Sequence, residues 1–259
     1  MYARKKQILQ LMEKNEHVKV IELAQLFNVS LETVRRDLNS LAKQGLIHRT
    51  HGGAVSIKIK DIGHSFQCRQ RTNFNRKHAI AQKAIEYLYE NIVIGLDAST
   101  TSWHFAQLIP DIPCTVVTNS MHNIKELVNK PNVTTIATGG VYSSKYNAFY
   151  GPLSETLLQR LHIDIGIFSC IGLDSNGTIW ESNELNASVK RKMFDKCEQK
   201  FLLADSSKFE KKNLIHLLDL KQMDILFTDE LPNLELQDYC RNNQILITQC
   251  DTQYLQPEE

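Results

Sequence analysis

Five short runs set hydroxyls, glycines and ionisable groups directly behind apolar stretches. They are Asp97, Ser99, Thr100 and Thr101 in DASTT; Thr118, Asn119 and Ser120 in TNS; Thr138, Gly139 and Gly140; Ser169, Cys170 and Gly172; and Asp205, Ser206, Ser207 and Lys208. Hydroxyls and free backbone amides at helix starts, with the positive end of the helix dipole, suit an anion such as a phosphate group. Lys190, in NASVKRK, and Lys208 are the candidate cations for it, lysine being a flexible point charge. Asp97 and Glu181 are the candidate partners of sugar hydroxyls. Any single run is more readily a helix cap or a turn, which use the same residue types. Five in succession favour a shared site.

A second set of candidates lies in the first sixty residues, where eleven Lys and Arg face five acids, an excess of +6; the remainder carries −5, so the whole chain is only +1. A small basic part joined to a larger, mildly acidic one is the asymmetry expected when one part meets nucleic acid and the other does not. In the run SLETVRRDLNSLAK, Val34, Leu38 and Leu41 form an apolar stripe, leaving Glu32, Thr33, Arg35, Arg36, Asn39 and Lys43 on the other faces. Arg35 or Arg36 is suited to grip a guanine edge in a major groove, and Thr33, Arg49 and His51 to hold the DNA backbone. A basic face used for protein contacts is the alternative.

The elements that position these groups follow from periodicity. Ile8, Leu11 and Met12 mark one short helix, Val20, Leu23, Leu26 and Phe27 a second, and the stripe above a third. Between the second and third, FNVS is a turn in which Ser30 can cap the third helix through the amide of Glu32 or Thr33. LIHRT and AVSI flank a Gly-Gly turn as a wing. This is a winged helix-turn-helix over residues 1–57, intended for a double-stranded DNA operator. Residues 58–76 are polar and weakly periodic, and read as a linker; a helix follows near 77–90. Over 77–259, strands are expected at 92–96, 114–118, 133–137, 163–168, 200–204, 224–228 and 244–248, separated by helices. That pattern indicates a parallel α/β sheet covered on both faces. The five runs then fall at the carboxyl ends of strands, where open α/β sheets bind ligands.

With 42% apolar and 23% charged residues the chain is globular, not disordered or fibrous. No run is apolar and long enough to span a membrane, and the N-terminus lacks a signal peptide's apolar stretch, so a cytoplasmic location with no membrane contact is expected. The six cysteines form no C-x-x-C pair, so neither a metal nor a disulfide framework is expected, and no cofactor is called for. An isomerase acting on a sugar phosphate is the competing reading, with Asp97 or Glu181 as base, but spacing defines no acid/base pair; the expectation is no enzyme. Paired half-sites imply a homo-oligomer.

The stretch from RKKQILQ to RTHGGAV, with VSLETVRRDL and RTHGGA, resembles the winged helix-turn-helix of the DeoR family. LDASTT, VVTNS, TGG, GPLSE, NASVKR and LADSSKF resemble that family's sensor domain, which implies a fold related to ribose-5-phosphate isomerase and a phosphorylated sugar as effector. DASTT and GTIWESNELNASVK depart from the general family pattern. With DIGIFSC they are similar to a fucose-responsive branch, which implies an activator of L-fucose utilisation induced by fuculose-1-phosphate, with Trp103 and Trp180 in or near the pocket. A repressor answering to another sugar phosphate is the alternative.

Overall fold

The computed structural model describes residues 2–14, 17–43, 46–50, 52–56 and 63–250. They belong to two compact units, Met1–Ile62 and Gly63–Glu259.

The first unit contains α1 (Tyr2–Lys14), β1 (His17–Lys19), α2 (Val20–Phe27), α3 (Leu31–Lys43), β2 (Ile47–Thr50) and β3 (Gly53–Ser56). Its core is Ile8, Met12, Val20, Leu23, Val34, Leu38, Leu41, Ile47 and Ala54, one stripe from each helix plus the wing. Leu26, expected on the stripe of α2, is instead exposed; Ala24 takes the inward position because 20, 23, 24 and 27 form the i, i+3, i+4, i+7 face. The α2–α3 turn works because Asn28 adopts the left-handed conformation, φ 49°, and the Val29 amide closes back onto the Ala24 carbonyl at 3.0 Å. The wing is a three-stranded antiparallel sheet, order β1-β3-β2. β1 has no sequence signature of its own: three residues become a strand only because Val18 pairs with Ala54.

The second unit begins with α4 (Phe66–Arg71) and α5 (Phe74–Ile85). Residues 63–76 are therefore not linker as expected: Ser65 caps α4, and Phe66 is fully buried, 6.1 Å from the Trp103 ring and stacked 3.8 Å from His122. One apolar anchor in a six-residue polar helix gives no periodicity to read. There follow β4 (Val93–Leu96), α6 (Thr100–Leu108), β5 (Cys114–Thr118), α7 (Met121–Leu127), β6 (Val133–Ala137), β7 (Val141–Ser143), β8 (Ala148–Tyr150), α8 (Pro152–Gln159), β9 (Ile163–Phe168), β10 (Gly172–Leu173), β11 (Thr178–Glu181), α9 (Glu184–Phe194), β12 (Cys197–Leu203), β13 (Ile215–Asp219), β14 (Ile225–Thr228), α10 (Leu234–Asn242) and β15 (Leu246–Gln249).

All seven expected strands join one parallel sheet, order β15-β14-β12-β9-β4-β5-β6; β12 starts three residues earlier than expected, at Cys197. The chain lays down β4, β5 and β6 in one direction, then returns to place β9 on the other side of β4 and continues outward. The strand order thus reverses between β4 and β9, the place where open α/β sheets form their ligand crevice, and the loops after these two strands meet there. Alternate side chains feed two cores. Phe201 and Leu203 pack with Ile80 and Phe105, while Leu202 packs with Ala187 and Met193. A small antiparallel sheet, β10-β11-β13, and the hairpin β7-β8 were not legible as strands, being short and without alternation.

Candidate functional site

At the crevice Asp97, the residue after β4, is almost fully buried. Its Oδ1 accepts from the Ser99 amide at 2.9 Å and the Ser102 hydroxyl at 2.6 Å, and its Oδ2 from the Ser169 amide, after β9, at 3.0 Å. Lys190 enters from α9. Its Nζ lies 3.2 Å from Asp97 Oδ2 and donates to Glu181 Oε2 at 2.7 Å and to the Ser169 carbonyl at 2.6 Å. Glu181 Oε1 accepts from the Ser182 amide at 2.7 Å and hydroxyl at 2.9 Å.

Burial alone would raise both carboxyls, but the Lys190 ammonium and these hydrogen bonds outweigh it, so Asp97 and Glu181 are held below the usual carboxylate range. Burial pulls Lys190 down, and the two carboxylates more than reverse this, holding it above the usual lysine value. The three form an ionised, buried cluster of net charge −1.

Thr118 donates to the Leu96 carbonyl at 2.8 Å, and Asn123 Nδ2 reaches the Asp97 carbonyl at 3.0 Å and Thr118 Oγ1 at 3.1 Å, locking the end of β5 to that of β4. Asn123, in the first turn of α7, carried no signal in the sequence beyond that of an ordinary helix-start residue. Ser99 and Ser120 cap α6 and α7 through the amides of Ser102, at 3.0 Å, and Asn123, at 3.3 Å. Thr100 and Thr101 are buried in the first turn of α6, and Ser169 donates to Thr101 Oγ1 at 3.3 Å. Asn119 donates to the Phe149 carbonyl at 3.0 Å, and its Oδ1 is buried without a partner.

Asp205 belongs to a second group, accepting from Asn73 Nδ2 at 2.9 Å, with Lys208 Nζ 3.9 Å from its other oxygen. Cys170 feels both groups. Burial pushes its thiol up to about 12; Lys208 and Lys190 pull it down, and Asp205 and Glu181 push it up. Gly139 and Gly140 both have left-handed φ, and a Cβ on Gly140 would lie 2.5 Å from the Tyr150 carbonyl. Trp103 is nearly buried and donates to Glu126 at 2.9 Å. Trp180 donates to Asp174 at 3.1 Å, one strand position from Glu181 and so on the other face of β11.

In the first unit, Ser30 Oγ accepts from the Thr33 amide at 3.2 Å, the cap the spacing suggests. Glu32, Arg35, Arg36, Asn39 and Lys43 are exposed along α3, and Thr33 is half-buried. Arg35 stands 3.7 Å from Glu32, a pair too exposed to hold either side chain firmly. Arg49 ties helix to wing, donating to Asn39 Oδ1 at 3.0 Å and to the Gly53 carbonyl. Burial, then the nearby Arg35, lowers its pKa. His51 lies outside the described residues. Asp37, not among the residues expected to act, is buried, with its Oδ2 2.6 Å from Arg4 of α1. Its place in phase with Val34, Leu38 and Leu41 was the available signal.

Among the described residues, His162, Asp164 and Glu198 form one group of metal-ligand type, with His162 Nε2 3.3 Å from Asp164 and 3.5 Å from Glu198. It sits at the amino ends of β9 and β12, the opposite end of the sheet from the crevice. No helix among the described residues is long and apolar enough to cross a membrane.

Residues 4–60 match the DeoR-like helix-turn-helix domain and residues 72–230 the DeoR C terminal sensor domain. The chain is 61% identical over 246 residues to an L-fucose operon activator of Haemophilus influenzae, covering 95% of this chain and 99% of that protein. It is 36% identical over 230 residues to the L-fucose operon activator of Escherichia coli, covering 88% and 95%. Among solved structures, ribose 5-phosphate isomerase A from Methanocaldococcus jannaschii aligns with a TM-score of 0.41 at 13% identity, over 54% of this chain and 56% of that one. A winged helix-turn-helix with an exposed basic α3, followed by an α/β unit with a crevice at its strand reversal, is thus matched by family models over both units, and the chain belongs to the DeoR family.

Proposed function

We propose that the protein is a DNA-binding transcriptional activator of L-fucose utilisation that responds to fuculose-1-phosphate. The observation that carries this reading is the 61% identity to an L-fucose operon activator over 95% of the chain, both units included. The exposed arginines of α3 supply DNA contacts, with Arg49 and the wing holding the backbone. In the sensor unit, Thr100, Thr101 and the amides at the starts of α6 and α7 meet the effector's phosphate, while Glu181, Asn119, Asp205 and Lys208 order its hydroxyls; Asp97, whose two oxygens already take four donors, holds the surrounding loops in place. Gly139 and Gly140 shape the adjoining loop. Lys190 acts by holding Asp97 and Glu181 in place, since its three N–H groups already have acceptors. A homodimer presents two copies of α3 to paired half-sites.

The test is a titration of operator DNA with and without fuculose-1-phosphate, next to a thermal-shift panel of sugar phosphates. A ligand at 100 times its dissociation constant adds about 2.7 kcal/mol. A clear shift with another sugar phosphate and none with fuculose-1-phosphate would replace the effector. Turnover of either sugar phosphate by the purified protein would favour the isomerase reading, which the depressed proton affinities of Asp97 and Glu181 argue against.

A further inference from the structure

Arg69 sits on α4, between the two segments that match family models, residues 4–60 and 72–230. Its guanidinium carbon is 5.9 Å from the centre of the Phe66 ring and 5.7 Å from that of Tyr146. Nε and Nη2 are both buried, and neither has a hydrogen-bond partner. Aromatic faces answer the charge of a cation but leave its N–H groups unmet. Guanidinium donors withdrawn from water without acceptors are costly.

The surroundings of Arg69 lead to the crevice. The Tyr146 ring is 6.4 Å from that of Tyr150, whose hydroxyl donates to Asn186 of α9, one turn before Lys190 on the same helix face. A Cβ on Gly63 would lie 2.2 Å from the Tyr146 hydroxyl and 2.4 Å from Ser182 Oγ, so these two oxygens are neighbours. Ser182 in turn donates to Glu181.

Charge balance points the same way. Asp97, Glu181 and Asp205 present three carboxylates to this region, while Lys190 and Lys208 present two ammonium groups. Lys190 has no donor left. An incoming phosphate would meet a net negative lining unless another cation faced it, and Arg69 has a planar fork of unused donors suited to phosphate oxygens.

We propose that Arg69 is an effector-binding residue whose Nε and Nη2 donate to the anionic oxygens of the phosphorylated sugar. The assignment rests on the phosphorylated-sugar reading above. Along the chain, α4 is the first described element after β3, and it belongs to the second unit.

The experiment compares wild type, Arg69→Lys and Arg69→Gln as full chains, using calorimetric titration with a panel of sugar phosphates that includes fuculose-1-phosphate. Ligand-free thermal unfolding monitors the fold. Arg69→Gln is expected to bind whichever sugar phosphate the wild type binds roughly 10- to 100-fold more weakly, the loss for a charge-assisted hydrogen-bond pair. Arg69→Lys, keeping the charge without the fork, falls between, and both variants unfold cooperatively without ligand. A wild type that binds while Arg69→Gln binds equally well overturns the Arg69 assignment alone; should Arg69→Gln not fold, wild-type affinity in Arg69→Lys does the same. A wild type that binds no sugar phosphate overturns the effector reading and this assignment with it.

Discussion

The backbone amide of Ser169 donates to Asp97 Oδ2 at 3.0 Å, joining the ends of β4 and β9 where the strand order reverses. The two loops at the crevice are thereby bonded to each other. The same carboxylate oxygen takes Lys190, so the floor of the crevice is a fully partnered ionic cluster.

Lys190→Met should destabilise the sensor unit by about 3–5 kcal/mol, because it leaves Asp97 and Glu181 buried without their counter-charge. In a unit of this size that lowers the unfolding midpoint by roughly 6–20 °C, measurable by calorimetry. A drop of a degree or less would mean that the cluster is not ionised. The two carboxyls are depressed, so their stabilisation is complete above their ordinary values near 4 and is lost as pH falls below them. Lys190 is raised, so its contribution is complete below its ordinary value near 10.4 and is lost only in stronger base.

His104 should produce an acid-sensitive branch at higher pH. It is fully buried on α6 with both ring nitrogens unpartnered; burial, then His78, then Lys77 lower its pKa to about 3. The unfolded chain takes up a proton near pH 6.5 while the folded imidazole does not, so stability falls as pH drops from about 6.5 towards 3. The slope reaches about 1.4 kcal/mol per pH unit. Unfolding midpoints of His104→Leu measured from pH 7 to 4 should decline less steeply than those of the wild type; parallel curves would refute the assignment.

Arg35→Ala combined with Arg36→Ala should weaken DNA binding and flatten its salt dependence. Each lost phosphate contact reduces the slope of log affinity against log salt by about one. Both side chains are exposed, so the unfolding midpoint should change little. Unchanged affinity in a gel-shift titration would exclude α3 as the recognition helix.

The paired glycines should respond unequally. Gly139→Ala introduces only a left-handed alanine into open space and should cost about 1 kcal/mol. Gly140→Ala also drives its Cβ against the Tyr150 carbonyl and should cost about 2 kcal/mol or more. Equal midpoints for the two variants would contradict the geometry.

Local patterns made much of this protein legible in its sequence. The stripe of Val34, Leu38 and Leu41 marked α3, Ser30 announced its cap, and continuous apolar runs marked all seven strands of the parallel sheet, because periodicity and capping act over a few residues. Tertiary structure alone decided the rest. Lys190 looked like a free cation for a phosphate until Asp97 and Glu181, distant in sequence, were brought to it. Residues 63–76 looked like a linker until Phe66 met Trp103 and His122 and seated Arg69 beside Tyr146. A buried charge or a lone apolar anchor depends on partners from elsewhere in the chain, and such partnerships leave no period in the sequence.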